Sequence, residues 1–232
     1  MNEKINKIFS ALDKKYGWLG WWPSTPPDKE YPEYHKSKNY KYSEYEKFEI
    51  AIGAILTQNT AWSNVVKALY NLKKLKCSSP EKMLEIEETK ILEAIKPSGY
   101  YNQKLKKMRY LCEFLIKNNW RDLEKLDISE LRKRLLDIWG IGKETADSII
   151  LYVFNKPIFV VDAYTRRILQ RCEIIDAKKD YDEIRILIEK NIPKKVNLYK
   201  NYHAAIVEHC KYNCKIKPLC EHCIIKNYCK LN

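Results

Sequence analysis

The chain closes on Cys214-Lys215-Ile216-Lys217-Pro218-Leu219-Cys220-Glu221-His222-Cys223-Ile224-Ile225-Lys226-Asn227-Tyr228-Cys229, a C-x5-C-x2-C-x5-C spacing. Four thiols this dense are not isolated core cysteines. As thiolates they satisfy either a tetrahedral zinc or a [4Fe–4S] cluster. Zinc sites usually pair two close knuckles, and only Cys220 and Cys223 have that spacing. The wider outer gaps favour a cubane, whose iron corners lie further apart, and leave zinc as the alternative. Cys210 stands one helical turn before Cys214 and reads as a spare. Cys77, Cys112 and Cys172 sit in helical surroundings and read as buried structural thiols. Lys211, Lys215 and Lys217 bring cations to the same region, where they either neutralise phosphates or form a solvated face.

A second constellation is Leu136-Asp137-Ile138-Trp139-Gly140-Ile141-Gly142-Lys143-Glu144-Thr145-Ala146. Gly140 and Gly142 permit a tight turn and leave backbone N–H groups exposed where the next helix begins, an arrangement that suits a phosphate. Lys143 adds a cation, and Thr145 and Ala146 are small where two helices must pack closely. Further on, Asp162 follows the apolar run Ile158-Phe159-Val160-Val161 and opens a helix. As an ordinary N-cap it contributes about 1 kcal/mol. Capping would also hold its carboxylate in a fixed position at the mouth of a cleft, so the structural and the chemical readings are compatible.

These residues need a scaffold. Helical periodicity predicts helices over 2–16, 44–57, 61–73, 80–86, 88–95, 101–117, 128–138, 143–154, 163–171, 180–190 and 197–210, with no convincing alternating strand. Asp127 with Glu130 has capping-box logic. Many helices on short connections imply an all-α fold. Trp18-Leu19-Gly20-Trp21-Trp22-Pro23, followed by Pro26, Pro27 and Pro32, excludes a helix interior and reads as a strap packed across a domain surface. Lys and Arg number 43 against 30 Asp and Glu in 232 residues, a net charge of +13 that favours a polyanionic partner. No run approaches the ~20 apolar residues of a membrane span. The start lacks the apolar core of a signal peptide, so the expected location is cytoplasmic, associated with the nucleoid, and disulfides are not expected there.

Hairpin, Val-Val-Asp segment and four-cysteine tail stand in one order, and together they resemble the endonuclease III-like helix-hairpin-helix DNA glycosylase superfamily over about residues 44–229. The resemblance implies a six-helix barrel subdomain (44–154) carrying the hairpin. It also implies a helical [4Fe–4S] subdomain formed by both chain ends (1–43 and 155–232), with an active cleft between the two. It implies that Cys214, Cys220, Cys223 and Cys229 hold a [4Fe–4S] cluster, and that Gly140, Gly142, Lys143, Thr145, Lys215 and Lys217 belong to the DNA-binding surface. Ile55-Leu56-Thr57-Gln58-Asn59-Thr60 looks like the family segment whose Gln enters the DNA at the flipped-base gap, here Gln58. Pro97-Ser98-Gly99-Tyr100-Tyr101-Asn102-Gln103-Lys104 looks like the wedge loop, with Tyr100 at the wedge. Asp162 and Glu144 are the expected catalytic pair.

Two departures from the family pattern stand out. The first cysteine gap is five residues rather than six. More consequentially, bifunctional members carry a nucleophilic lysine where this chain has Glu144. A carboxylate cannot form the Schiff base that strand cleavage requires. Lys143 is adjacent, but one residue turns a helix by roughly 100°, so it points elsewhere. The expectation is a monomeric, monofunctional glycosylase acting on double-stranded DNA with a damaged base, uracil first and alkylated purine such as 3-methyladenine next. A bifunctional glycosylase and lyase, a non-catalytic DNA-structure binding module and an iron–sulfur electron carrier are the alternatives.

Overall fold

A computed structural model describes residues 2–230. Among these residues the regular structure is helical: α1 (Asn2–Tyr16), α2 (Glu44–Leu56), α3 (Trp62–Lys74), α4 (Pro80–Glu85), α5 (Glu88–Ile95), α6 (Tyr101–Lys117), α7 (Trp120–Lys125), α8 (Ile128–Leu136), α9 (Lys143–Ser148), α10 (Ala163–Arg171), α11 (Tyr181–Asn191) and α12 (Val196–Tyr212). Beyond them the backbone pairing is one isolated bridge between Ser24 and Glu33. The all-α expectation holds. Helix α7 was not anticipated, because six residues between the Asn119 cap and Leu126 are too few to display a period. The predicted helix over 143–154 is α9 followed by a π-helical turn, Ile149–Val153.

The chain divides into two compact units. The helical unit comprises residues 22–34 and 39–154; the terminal unit comprises the chain up to Trp21, residues 35–38, and the chain from Asn155 onward. The strap therefore departs from the sequence expectation, since residues 22–34 and 39–43 group with the helices. The reason lies in α2. Its Glu46 accepts a hydrogen bond from Ser24 Oγ at 2.8 Å, and its Glu49 accepts one from the Thr25 amide at 2.7 Å. Trp22 packs edge-on against Trp62 and Tyr152 and lies 3.5 Å from where a Cβ on Gly53 would stand. Burial raises the Glu49 pKa, with hydrogen bonds from Tyr45 and Thr25 opposing it.

Within the helical unit, α2 is buried from Phe48 through Leu56. A helix apolar on all sides must be surrounded, and α3, α6, α9 and the π turn pack around it. Each cap follows its local sequence. Ser43 and Glu46 form a full capping box at the start of α2. Asp127 accepts the Glu130 amide at 2.9 Å at the start of α8, one half of the predicted box.

The terminal unit joins the two ends of the chain. Helix α1 packs on α12 and α11, and α10 packs on α12. Phe9 stacks on Tyr202 at 4.6 Å and meets Phe159 at 6.0 Å. Asn201 ties α12 to the segment after α1, donating to Asp13 and to the Gly17 carbonyl while accepting from the Leu19 amide. On the same helix, Lys200 is buried and donates to Asn155 Oδ1 at 2.6 Å. Burial pushes its pKa down to about 8. Between that value and the ordinary lysine range, the unfolded chain holds a proton the folded chain has released, so Lys200 makes stability rise with pH across that window. From pH 7 to pH 9.5 the urea midpoint of wild type should therefore rise relative to that of Lys200→Met, which lacks the titrating group. Equal pH responses of the two proteins would contradict this account.

Candidate functional site

The predicted hairpin forms in the helical unit. Between α8 and α9, Ile138 and Ile141 point inward and the Ile141 amide closes a turn on the Ile138 carbonyl at 3.1 Å. Gly140 has φ +81°, and a Cβ there would strike the Lys107 stem at 2.5 Å. Conformation and close approach both demand glycine. Gly142 is extended and caps α9, and Lys143 and Glu144 stand exposed in its first turn. Trp139 is 48% exposed at the hairpin tip, with the Lys106 ammonium 4.5 Å above its ring. An open concavity of about 660 Å³ lies beside it, lined by Asn102, Gln103, Lys106, Lys107, Trp139 and Gly140.

The two arms of the hairpin are locked by charge. Arg132 on α8 donates from Nε to Asp147 Oδ1 at 2.7 Å and from Nη2 to Oδ2 at 3.2 Å, and Asp147 on α9 is fully buried. This bidentate pair fixes the angle at which the turn is presented.

Thr145, which the sequence groups with the DNA-binding surface, is only 5% exposed. Its hydroxyl instead accepts a hydrogen bond from Gln58 Nε2 at 3.0 Å. The other end of the Gln58 amide accepts one from Lys107 Nζ at 2.6 Å. Gln58 thus stands between the hairpin helix and α6, half-buried and held at both ends. Tyr100 is 71% exposed and adopts φ +49° immediately before α6.

In the terminal unit, Asp162 caps α10 by accepting the Thr165 amide at 2.7 Å. Its side chain is 13% exposed and its Oδ2 lies 3.6 Å from His203 Nε2, within ion-pair range but beyond a direct hydrogen bond. Burial alone would raise the Asp162 pKa. The His203 imidazole and the Thr165 amide outweigh it and hold the carboxyl below its ordinary range, so it is ionised at neutral pH. The Trp21 ring stands edge-on to His203 at 5.7 Å, with the Lys211 ammonium 5.5 Å over its face.

Cys214, Cys220, Cys223 and Cys229 line one small enclosed pocket together with Arg171 and Cys172. Arg171 Nη1 donates to the Cys214 sulfur at 3.1 Å and to the Lys215 carbonyl at 2.7 Å. Its Nη2 donates to the Ile216 carbonyl at 2.9 Å. A hydrogen bond from Cys210, with Arg171 beside it, brings the Cys214 pKa down to about 6 against burial, which makes its thiolate accessible at neutral pH. Among the described residues no three His, Cys, Asp or Glu side chains converge closely enough to share one metal ion. A cubane asks less of them, because each thiolate meets its own iron corner. Four thiols around one pocket, one of them already favoured as thiolate, fit that donor set. Lys215 and Lys217 are exposed on this loop.

Sequence reasoning missed His203, Lys104, Lys107 and the Arg132–Asp147 pair. Apart from Ser98, six residues before Lys104, their partners lie from 15 to 49 residues away along the chain, and no local pattern marks them.

Residues 52–194 match the family described as HhH-GPD superfamily base excision DNA repair protein. A Methanocaldococcus jannaschii protein assigned as a DNA repair glycosylase is 42% identical over 231 residues, covering 98% of this chain and 96% of that one. The H. pylori 3-methyladenine DNA glycosylase (MagIII) bound to 1,N6-ethenoadenine superposes with a TM-score of 0.69 at 29% identity, over 90% of this chain and 97% of that chain. A non-covalent endonuclease III–DNA complex shares the fold, with a TM-score of 0.75 at 19% identity over 99% and 95% of the two chains.

The hairpin lock yields an energetic test. Asp147→Ala strands the Arg132 guanidinium, and the expected loss is about 3–5 kcal/mol in urea unfolding. Lys82→Ala, which removes an exposed ion pair with Glu85, should cost less than about 1 kcal/mol. A similar, small cost for both would show that the hairpin does not depend on the pair.

Proposed function

Because the chain belongs to the HhH-GPD superfamily of base excision DNA repair proteins, and is thereby a DNA repair glycosylase, we propose that it is a monofunctional member that removes an alkylated purine by hydrolysis. Two observations carry the hydrolytic reading: Asp162 is capped and ionised, and position 144 holds a glutamate where bifunctional members need a lysine. Water is then the nucleophile. Its oxygen bonds to C1′ as the C1′–N bond breaks, its proton is released, and the departing base keeps the bonding electrons. Asp162 stabilises the oxocarbenium-like sugar and orients the water. Thr165 fixes the carboxylate's direction, and His203 keeps it charged.

Around this step, the hairpin residues Gly140, Gly142 and Lys143, with Lys215 and Lys217, hold phosphates of double-stranded DNA. Gln58 and Tyr100 occupy the space the extruded base leaves. Extrusion costs a few kcal/mol, least for a damaged or mispaired base. The cysteine pocket would hold a [4Fe–4S] cluster through Cys214, Cys220, Cys223 and Cys229, bracing the lysine-bearing loop. Thr145 acts indirectly, through Gln58. The protein works as a monomer on DNA in the cytoplasm.

Two observations move the substrate from uracil to an alkylated purine. Trp21 stands edge-on to His203, the imidazole that neighbours Asp162, and an electron-rich ring in that region suits a cationic base. The 29% identical structural relative is a 3-methyladenine glycosylase. Uracil keeps one argument, the exposed Glu144 carboxylate, which can accept its imide N–H.

The experiment is excision from oligonucleotides carrying 1,N6-ethenoadenine, 3-methyladenine or uracil, with alkali to reveal abasic sites. Alkylated purines should be released fastest. Asp162→Asn keeps a capping oxygen, so DNA binding should persist while excision falls by about 100- to 1,000-fold. Excision that survives Asp162→Asn would refute the mechanism, and a borohydride-trapped adduct with wild type would refute the monofunctional assignment. Purified protein should contain iron and sulfide, and a colourless zinc-loaded protein would overturn the cluster.

A further inference from the structure

Two lysines on one face of α6 touch every turn of the helical unit that the proposed function gives to DNA. Lys104 is 2% exposed. Its Nζ donates to the Leu56 carbonyl at 2.8 Å and to the Ser98 carbonyl at 2.7 Å. Both acceptors are neutral. Burying an ammonium against neutral carbonyls is costly, and burial, with the charge of Lys107 next, pushes its pKa down to about 8. A methionine would fill the same space without that cost. What the ammonium alone can do is bring two carbonyl groups from distant segments to one point.

Those carbonyls sit just ahead of two strained turns. Leu56 ends α2 and leads into Thr57-Gln58-Asn59, where Asn59 has φ +53°. Ser98 leads into Gly99 and Tyr100, with φ +67° and +49°. Left-handed backbone at a non-glycine residue persists only where the surroundings impose it. Lys107, one turn along α6, completes the arrangement. It holds Gln58 Oε1, whose amide reaches Thr145, and its stem lies under the hairpin at Gly140.

We propose that Lys104 and Lys107 are positioning residues for base extrusion: they set Gln58 and Tyr100 at fixed places relative to the hairpin before DNA arrives. Neither touches the reacting sugar. They lower the ordering cost of inserting Gln58 and Tyr100 into the duplex, as preorganisation does at any binding surface. The inference rests on the glycosylase reading above.

A positioning role for extrusion predicts a substrate-dependent defect that general destabilisation does not. Lys104→Met and Lys107→Met would be compared with wild type in single-turnover excision of 1,N6-ethenoadenine at saturating protein. One substrate is a normal duplex. In the other, the same base faces an abasic gap and is already loosened from the stack. The duplex rate should fall at least about tenfold in each variant and the gap rate less than about threefold. A 2-aminopurine beside the damaged base brightens on extrusion, and its rise should slow in step with the duplex rate. Lys107→Arg, which keeps a cationic donor, should recover much of the loss. Equal losses on both substrates, or an unchanged duplex rate, would overturn the proposal. If Lys104→Met does not fold, half-buried Lys107 carries the same comparison. A wild type that excises no damaged base would overturn the glycosylase reading as well, and that outcome is visible before any variant is made.

Discussion

Helix α2 is buried from Phe48 to Leu56, and that single constraint dictates where the helical unit can carry chemistry. A helix apolar on every side has no face to offer a ligand, so polar work is displaced to its two ends. At the first end, Glu46 and Glu49 reach Ser24, Thr25, Tyr40 and Tyr45 and anchor the strap. At the second, the Leu56 carbonyl meets Lys104 and the chain turns through Gln58. The same apolar rod therefore sets the position of the strap and of the residue assigned to the DNA gap. A shift of α2 along its axis would disturb both, which explains why each end is tied by charged or hydrogen-bonded side chains rather than by packing alone.

Charge is partitioned in the same spirit. The chain carries +13 overall, and an excess of that size steers a polyanion toward the surface from a distance. The ionisable groups removed from solvent serve geometry instead. Arg132 and Asp147 form a bidentate lock, Asp162 is fixed by a backbone amide, and Lys104 bridges two carbonyls. Burying charged groups adds little net stability compared with apolar replacements, so their presence at the hairpin, at the Asp162 cap and at the head of α6 marks places where direction matters more than stability.

Much of this was legible in the sequence because it is local. Asp162 announces its cap three residues ahead of Thr165, the hairpin announces itself through Gly140 and Gly142, and the cysteines through their spacing. The all-α class followed from periodicity. What stayed hidden involves partners far apart in the chain: Gln58 with Thr145, Lys104 with Leu56, Asp162 with His203. Short or irregular elements were hidden too. Helix α7 is under two turns long, and the π turn after α9 has the same apolar residues as a continued α-helix. Thr145 illustrates the limit most directly. Its small size was read correctly as a packing requirement, yet its hydroxyl has a specific partner that no pattern in the hairpin reveals.

The hairpin also separates two tasks that its sequence runs together. The grip on a phosphate depends on backbone amides and on the turn geometry, which Gly140 against Lys107 and Asp147 against Arg132 enforce. None of those contacts involves the side chain at position 144, which stands exposed in the first turn of α9. A lysine and a glutamate at that position offer different chemistry, since only an amine can condense with the opened sugar. Adjacent Lys143 cannot substitute, because a rotation of roughly 100° per residue directs it away from its neighbour's path. Binding geometry can therefore be shared throughout a family while a single exposed position changes the chemistry on offer, and under the function proposed for this chain Glu144 leaves the reaction to Asp162 and water.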